Sequence, residues 1–211
     1  MTGAVSTFLY SLVALLVIFD PAGTAALFVA MTPRDTREER AEQARRACLV
    51  AFVVLALFGL LGEGLLKALG IGLPAMKVAG GILLFLTAAD MVTARGVLRA
   101  TSEERAAATR TENDISVFPL AIPLIAGPGA MTTMVLLQSR SAGNAWAMAA
   151  LQLALVVAIG VVLAGLLMAR WVARFLGVVG ANVIGRVLGV LLAALAAQIA
   201  IEGVRESLGL A

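Results

Sequence analysis

Two short motifs hold the residues best able to do chemistry in this chain. Asp20-Pro21-Ala22-Gly23-Thr24 and Gly127-Pro128-Gly129-Ala130-Met131-Thr132-Thr133 each interrupt a long apolar run, about half a chain apart. Proline lacks an N–H and its fixed φ suits a helix's first turn, so each motif predicts a helix that stops and restarts. A helix restarting after Pro21-Ala22-Gly23 leaves unpaired N–H groups around Gly23 and Thr24. One restarting after Pro128-Gly129 offers those of Ala130, Met131 and Thr132. Thr24, Thr132 and Thr133 can add hydroxyls. Two helix N-termini facing one pocket combine partial positive potential with convergent donors, which suits a carboxylate or another anion. The plainer alternative is two kinks with no ligand. Their matched placement favours a site.

The elements that must position these motifs are membrane helices. Of 211 residues, 61% are hydrophobic and 14% charged, and the mean hydropathy is +1.01. Soluble domains are about 45–50% apolar and about 25% charged. The spacing predicts an all-α membrane protein of six transmembrane helices, at 8–31, 48–69, 71–94, 117–137, 146–172 and 181–204. The first and fourth are broken at the Pro/Gly motifs. A broken helix inside the bilayer is tolerated only where it is buried in protein or lines a cavity. A tight turn around Gly70, Gly72 and Pro74 predicts a helical hairpin of spans two and three. No basic residue precedes the first apolar run, so it reads as a retained span and not a cleaved signal.

Twelve of the sixteen basic residues fall on one side of this topology. They are Arg34, Arg37, Arg40, Arg45 and Arg46; Arg95, Arg99, Arg105 and Arg110; and Arg170, Arg174 and Arg186. The other side holds Lys67, Lys77, Arg140 and Arg205. The positive-inside rule makes the first side cytoplasmic and places both termini outside. Tyr10, Trp146 and Trp171 suit interfacial belts. The mixed charges of 33–46 and 95–114 read as solvated helical faces.

Sliding the chain against itself by about 107 residues aligns Pro21 with Pro128. A shift of about 108 aligns Gly81 with Gly189 and Asp90 with Gln198. Three spans per half make the halves enter from opposite sides, so the expectation is a 3+3 inverted repeat within a single transmembrane domain, 1–211. Repeat A is 1–94, the cytoplasmic linker 95–114 and repeat B 115–211. Such repeats hold substrate near the midplane between broken helices.

Ionisable groups inside spans default to functional hypotheses. Asp20 sits at the first break, where it could pair with a substrate ammonium, exchange a coupling proton or cap the restarting helix. Asp90 and Gln198 are further coupling candidates, although snorkelling or pairing with Arg95 is the favoured reading for Asp90, and Gln198 could hydrogen-bond between helices. Glu63 and Lys67 form an i,i+4 structural pair. Gly185, Gly189, Ala193 and Ala197 should let span six pack closely on a neighbour.

Several function classes fall away. Cys48 is the only cysteine and there is no histidine. That removes an intrachain disulfide, a thiolate cluster, imidazole metal sites and a Ser–His dyad, and no cofactor or metal is expected. An aspartyl dyad would need Asp20 and Asp90, which lie at different depths, so the chain does not read as an enzyme. The arginines lack interleaved aromatics, against nucleic acid. No nucleotide-binding motif is visible in this 21.7 kDa chain, so a carrier would draw on an ion gradient or exchange.

Asp20-Pro21-Ala22-Gly23 followed by Leu27-Phe28 and Met31-Thr32 resembles the N/D-P-x-G…F…L-T signature of the MarC family of integral membrane proteins. The run from Phe118-Pro119-Leu120-Ala121-Ile122-Pro123 to Ala130-Met131-Thr132 is similar to that family's F-P-L-A-x-P-L-I-A-G-P-G-A-I-T. Gly80-Gly81-Ile82-Leu83-Leu84-Phe85 and the pattern Arg186…Gly189…Gln198…Gly203 are also similar, so the resemblance spans nearly the whole chain. It implies a multi-pass protein of the bacterial or archaeal inner membrane with a lysine-exporter-like architecture. In its SnatA-type members it implies transport of small neutral amino acids such as glycine and alanine. The expected substrate is therefore a small amino acid, with a proton or sodium ion for coupling and lipid as surroundings. Asp20 stands where the family commonly has Asn, and Ala26 where a second proline is common. The alternatives are an ion or metal channel or carrier of the same architecture, or a membrane protein without transport activity.

Overall fold

The computed structural model describes residues 2–32, 35–93 and 115–210, with the side chains of 2, 172–179, 181 and 182 excepted. The described residues are helical: α1 Thr2–Phe19, α2 Pro21–Met31, α3 Arg37–Ala68, α4 Leu73–Thr93, α5 Ser116–Ile125, α6 Pro128–Ser141, α7 Ala145–Leu167 and α8 Ala169–Ser207. Among the described residues, five segments are long and apolar enough to cross a membrane: Gly3–Met31, Arg37–Ala68, Leu73–Thr93, Ala145–Leu167 and Val183–Ser207. A sixth forms if α5 and α6, bent by 56° at their break, act together. The orienting residues Arg34, Arg95, Arg99, Arg105 and Arg110, and the linker 95–114 up to its last residue, lie outside the described residues.

Local chemistry sets the helix ends. Thr36 and Glu39 form a reciprocal capping box that starts α3. At its other end Gly70, at φ 70°, takes the left-handed position that ends a helix in a Schellman turn. Ile71 N–H donates to Leu66 O at 2.9 Å and Gly70 N–H to Lys67 O at 3.1 Å. Asn144 Oδ1 accepts from Trp146 and Ala147 N–H and starts α7. Outward-facing apolar side chains such as Leu60, Leu61, Ile82, Phe85, Val187 and Leu191 form the belt expected of a bilayer-facing surface.

Packing interleaves the two halves of the chain. The most extensive helix pair is α4 with α8. The others include α1 with α7, α2 with α8 and α7, α3 with α5, α6 and α7, and α4 with α6. The expected hairpin is corrected here: the turn at Gly70 connects α3 to α4, but the two helices do not pack extensively on each other. A four-residue connection, 69–72, fixes connectivity, not crossing angle, and α6 packs on both. Span five ends at Leu167, not 172. Residues 169–172, expected to end span five, and 173–180, expected to connect it to span six, instead begin α8, because they contain no proline to stop a helix. The fourth span is not one kinked α-helix. α5 is a wide, irregular coil with extended backbone at Phe118 and Ile122 and cis peptide bonds before Pro119 and Pro123.

α8 finds its close-packed neighbour within the chain. Gly189 and Gly203 press on α4, while Gly185 faces Asp20 on the first break. Ala193 and Ala197 are only half-buried.

Candidate functional site

At the first break Asp20 adopts a left-handed backbone, φ 40° and ψ 71°. Asp and Asn tolerate this region better than other non-glycine residues, which accounts for an acid or amide at this position. Its Oδ1 accepts from Gly23 N–H at 3.1 Å, and its carbonyl accepts from Thr24 N–H at 2.8 Å. A Cβ on Gly23 would collide with the Asp20 carboxylate. The free amides expected at Gly23 and Thr24 are therefore spent within the break, because the Asp20 side chain takes the first and its carbonyl the second. Ala22 N–H keeps no acceptor among the described residues. The Thr24 hydroxyl donates to Phe19 O at 2.7 Å, satisfying a carbonyl that the interruption leaves over.

The second break lacks a side-chain cap. Gly127 is extended, and Met131 N–H donates to its carbonyl at 3.0 Å as the first bond of α6. Gly129 and Ala130 N–H have no acceptor among the described residues. The Thr132 hydroxyl returns to Pro128 O at 2.9 Å. Thr133 Oγ1 is buried without a partner among the described residues; it borders a small cavity of about 20 Å³ between α1, α6 and α8.

Each break seats on helices of the other half. Pro21 O lies 3.4 Å from a Cβ built on Gly165 of α7, and Asp20 Oδ2 lies 3.6 Å from one on Gly185 of α8. Across the bundle, Gly129 faces Leu84 and Thr132 packs on Gly80, both on α4. α2 and α6 share no extensive interface. Leu84 and Leu192, both fully buried, belong to the apolar cluster that Val17, Ile18 and Leu136 also join.

Asp90 is exposed near the end of α4, while Gln198 Nε2 donates to Glu202 Oε1 at 3.1 Å. The structure thus does not gather Asp20, Asp90 and Gln198 at one point. Four ionic residues at the other end of the bundle carried no signal of their role. Lys77 pairs with Glu206 between α4 and α8, and Arg140 with Glu202 at 2.6 Å between α6 and α8. Glu63 and Lys67 form the expected pair at 2.8 Å. Arg40 departs from the solvated-face reading: its Nε and Nη2 donate to Thr32 O and close the carbonyl end of α2.

A bundle whose helices bury one stripe and expose apolar side chains elsewhere, with two interrupted helices inside, defines a multi-pass integral membrane protein. The chain belongs to the MarC family of integral membrane proteins, whose profile matches residues 5–208. A UPF0056 membrane protein of Archaeoglobus fulgidus is 33% identical over 99% of this chain and 97% of its own. One from Pyrococcus horikoshii is 30% identical over the full length of both. The UPF0056 membrane protein YvbG of Bacillus subtilis is 33% identical over 62% of this chain and 63% of its own. No solved structure matches.

Proposed function

We propose that this protein is a secondary transporter that moves a small neutral amino acid, of glycine or alanine size, across a bacterial or archaeal plasma membrane by alternating access. The observation that carries the reading is the pair of interrupted helices, one in each half. Each opens first-turn amides without acceptors, at Ala22 and at Gly129 and Ala130, and each rests on the opposite half. The substrate carboxylate is assigned to these amides and its ammonium to Asp20 Oδ2. Thr132, Thr133 and the backbone of Pro21, Gly127 and Pro128 complete the proposed surroundings. Coupling, by a proton or a sodium ion, is assigned to Asp20. Asp90 and Gln198 serve only if the cycle brings them inward. No bond of the substrate is broken in this account.

A 3+3 inverted repeat is part of the proposal, with both termini external. Burial supports it. An offset of about 107 positions carries the buried face of α3 (Ala44, Ala47, Cys48, Ala51, Leu55) onto that of α7 (Leu151, Ala154, Leu155, Ala158, Val162). An offset of about 108 carries Leu84 and Ala88 onto Leu192 and Ala196. Exchanging the halves also maps the helix pairs onto one another, α2·α8 onto α4·α6 and α1·α7 onto α3·α5. The interhelical pairs Lys77–Glu206 and Arg140–Glu202 support a state latched at that end.

The test is uptake of labelled glycine and alanine into proteoliposomes, with divalent metals and larger amphiphiles in parallel and protein-free vesicles as control. Saturable uptake of glycine or alanine is expected. Metal flux without amino-acid uptake would move the assignment to an ion carrier, and no flux of any kind would remove transport.

A further inference from the structure

A cavity of about 400 Å³ opens at the arginine-rich end of the bundle, between the last turn of α2, the first turns of α3 and the α7–α8 junction. Arg37, Arg40 and Arg170 line it beside the Trp171 indole, and the wall is otherwise apolar, with Val29 and Leu166 on it. Arg40 is 8% exposed and anchored on Thr32 O through Nε and Nη2. A guanidinium carries five N–H donors in a rigid plane, so three remain and are already oriented. Arg37 and Arg170 meet no carboxylate partner among the described residues.

Among the described residues, the acids of this end are otherwise engaged or turned outward. Asp35 Oδ2 accepts from Gln43 Nε2 at 3.0 Å, Glu39 from Thr36 N–H at 2.7 Å, and Glu42 pairs with Arg46. Glu38 is exposed. Three cations with no acid beside them on the wall among the described residues call for an anion and repel an ammonium, so this is not the amino-acid site. The volume exceeds that of a carboxylate, leaving room for a substituent against the apolar wall. An exposed tryptophan at a membrane-helix end is the usual interfacial anchor.

We propose that this cavity binds a phosphate group, held by the free edge of Arg40 and by Arg37 and Arg170. The recognised chemistry is the phosphate oxyanion, carried both by an anionic phospholipid headgroup and by free phosphate. Basic pockets between membrane helices commonly take such groups. The site stands whether or not the transport reading does.

The test follows thermal unfolding of the full-length protein in detergent, titrated separately with short-chain phosphatidylglycerol, short-chain phosphatidylcholine and inorganic phosphate. Phosphatidylglycerol is expected to raise the Tm saturably, and phosphatidylcholine far less, since its choline would face three guanidinium groups. The double variant Arg37→Gln/Arg170→Gln should keep the ligand-free Tm and weaken the apparent affinity about tenfold or more. Arg40→Gln should also lower the ligand-free Tm, because Thr32 O loses its donors. An arginine-dependent rise with inorganic phosphate alone assigns the site to the free ion, and a larger rise with phosphatidylglycerol assigns it to lipid. No rise with either, equal rises in wild type and double variant, or rises of the same size with the two lipids overturn the proposal.

Discussion

A Cβ placed on Gly81 would lie 2.8 Å from the carbonyl oxygen of Ala196, so α4 and α8 meet backbone to backbone. The reverse contact exists as well: a Cβ on Gly189 would lie 3.2 Å from the carbonyl oxygen of Ala88. The two contacts are related by one offset (81 to 189, 88 to 196). Partners of α4 rise along the chain as those of α8 fall, so the helices cross antiparallel. Close approach of this kind substitutes for the hydrophobic drive that lipid does not provide between helices.

Gly81→Ala and Gly189→Ala should therefore each destabilise the protein by about 1–3 kcal/mol, because a carbonyl or a helix must shift to admit the methyl. Gly160→Ala, with open space at its Cβ, should be neutral or stabilise by up to about 1 kcal/mol. Thermal unfolding in one detergent compares all three. Equal Tm values would remove the close crossing.

Asp20 separates capping from charge. Asp20→Asn keeps a side-chain acceptor for Gly23 N–H and tolerates the left-handed backbone, so its stability should stay near wild type. Asp20→Ala loses both and should cost about 1–3 kcal/mol. If uptake and its pH dependence are the same for Asp20→Asn as for wild type, Asp20 is a cap and not a coupling group.

The second break allows a cleaner probe of the open amides. A Cβ on Gly127 would sit 2.6 Å from Pro123 O, a backbone atom, whereas one on Gly129 meets Cδ2 of the buried Leu84 side chain at 2.8 Å. Gly127→Ala should lower the Tm. Gly129→Ala should lower it less, because a side chain and not a carbonyl gives way, yet reduce glycine uptake about tenfold or more by displacing the substrate from the amides. Unaltered uptake in Gly129→Ala would take the amides out of the site.

The pair Lys77–Glu206 should behave as a unit. Lys77 is 12% exposed at its side chain, so Lys77→Gln leaves a partly buried carboxylate without its cation. A double-mutant cycle with Glu206→Gln should give a coupling of about 0.5–3 kcal/mol. Strictly additive stabilities would mean the pair latches nothing.

Much of this was readable from residue order, for reasons that can be named. Long apolar runs marked the spans, Asp20-Pro21 and Gly127-Pro128 marked the breaks, and Gly70 marked the helix end. What escaped was set by groups distant in the chain. Arg40 looked like one of several solvated charges, since periodicity says nothing of the Thr32 carbonyl it closes. The amides of Gly23 and Thr24 looked open because the Asp20 side chain and carbonyl take them only once the left-handed turn has formed. The coil at α5 was hidden because Pro119 and Pro123 were read as part of one helix, not as two successive interruptions. The partner of α4 was hidden because a tight turn suggests a neighbour without setting an angle.

The interleaving of the two halves has a consequence for how the protein is made. Before residue 115 leaves the ribosome, α1 to α4 have no extensive contact with one another to form. They must wait in the bilayer as separate rods, with Gly80 and Gly81 turned to lipid, until α6 and α8 arrive. Insertion and assembly are thus distinct stages in time, and a nascent chain stalled at the midpoint would offer the cell's quality-control proteases an unmatched surface.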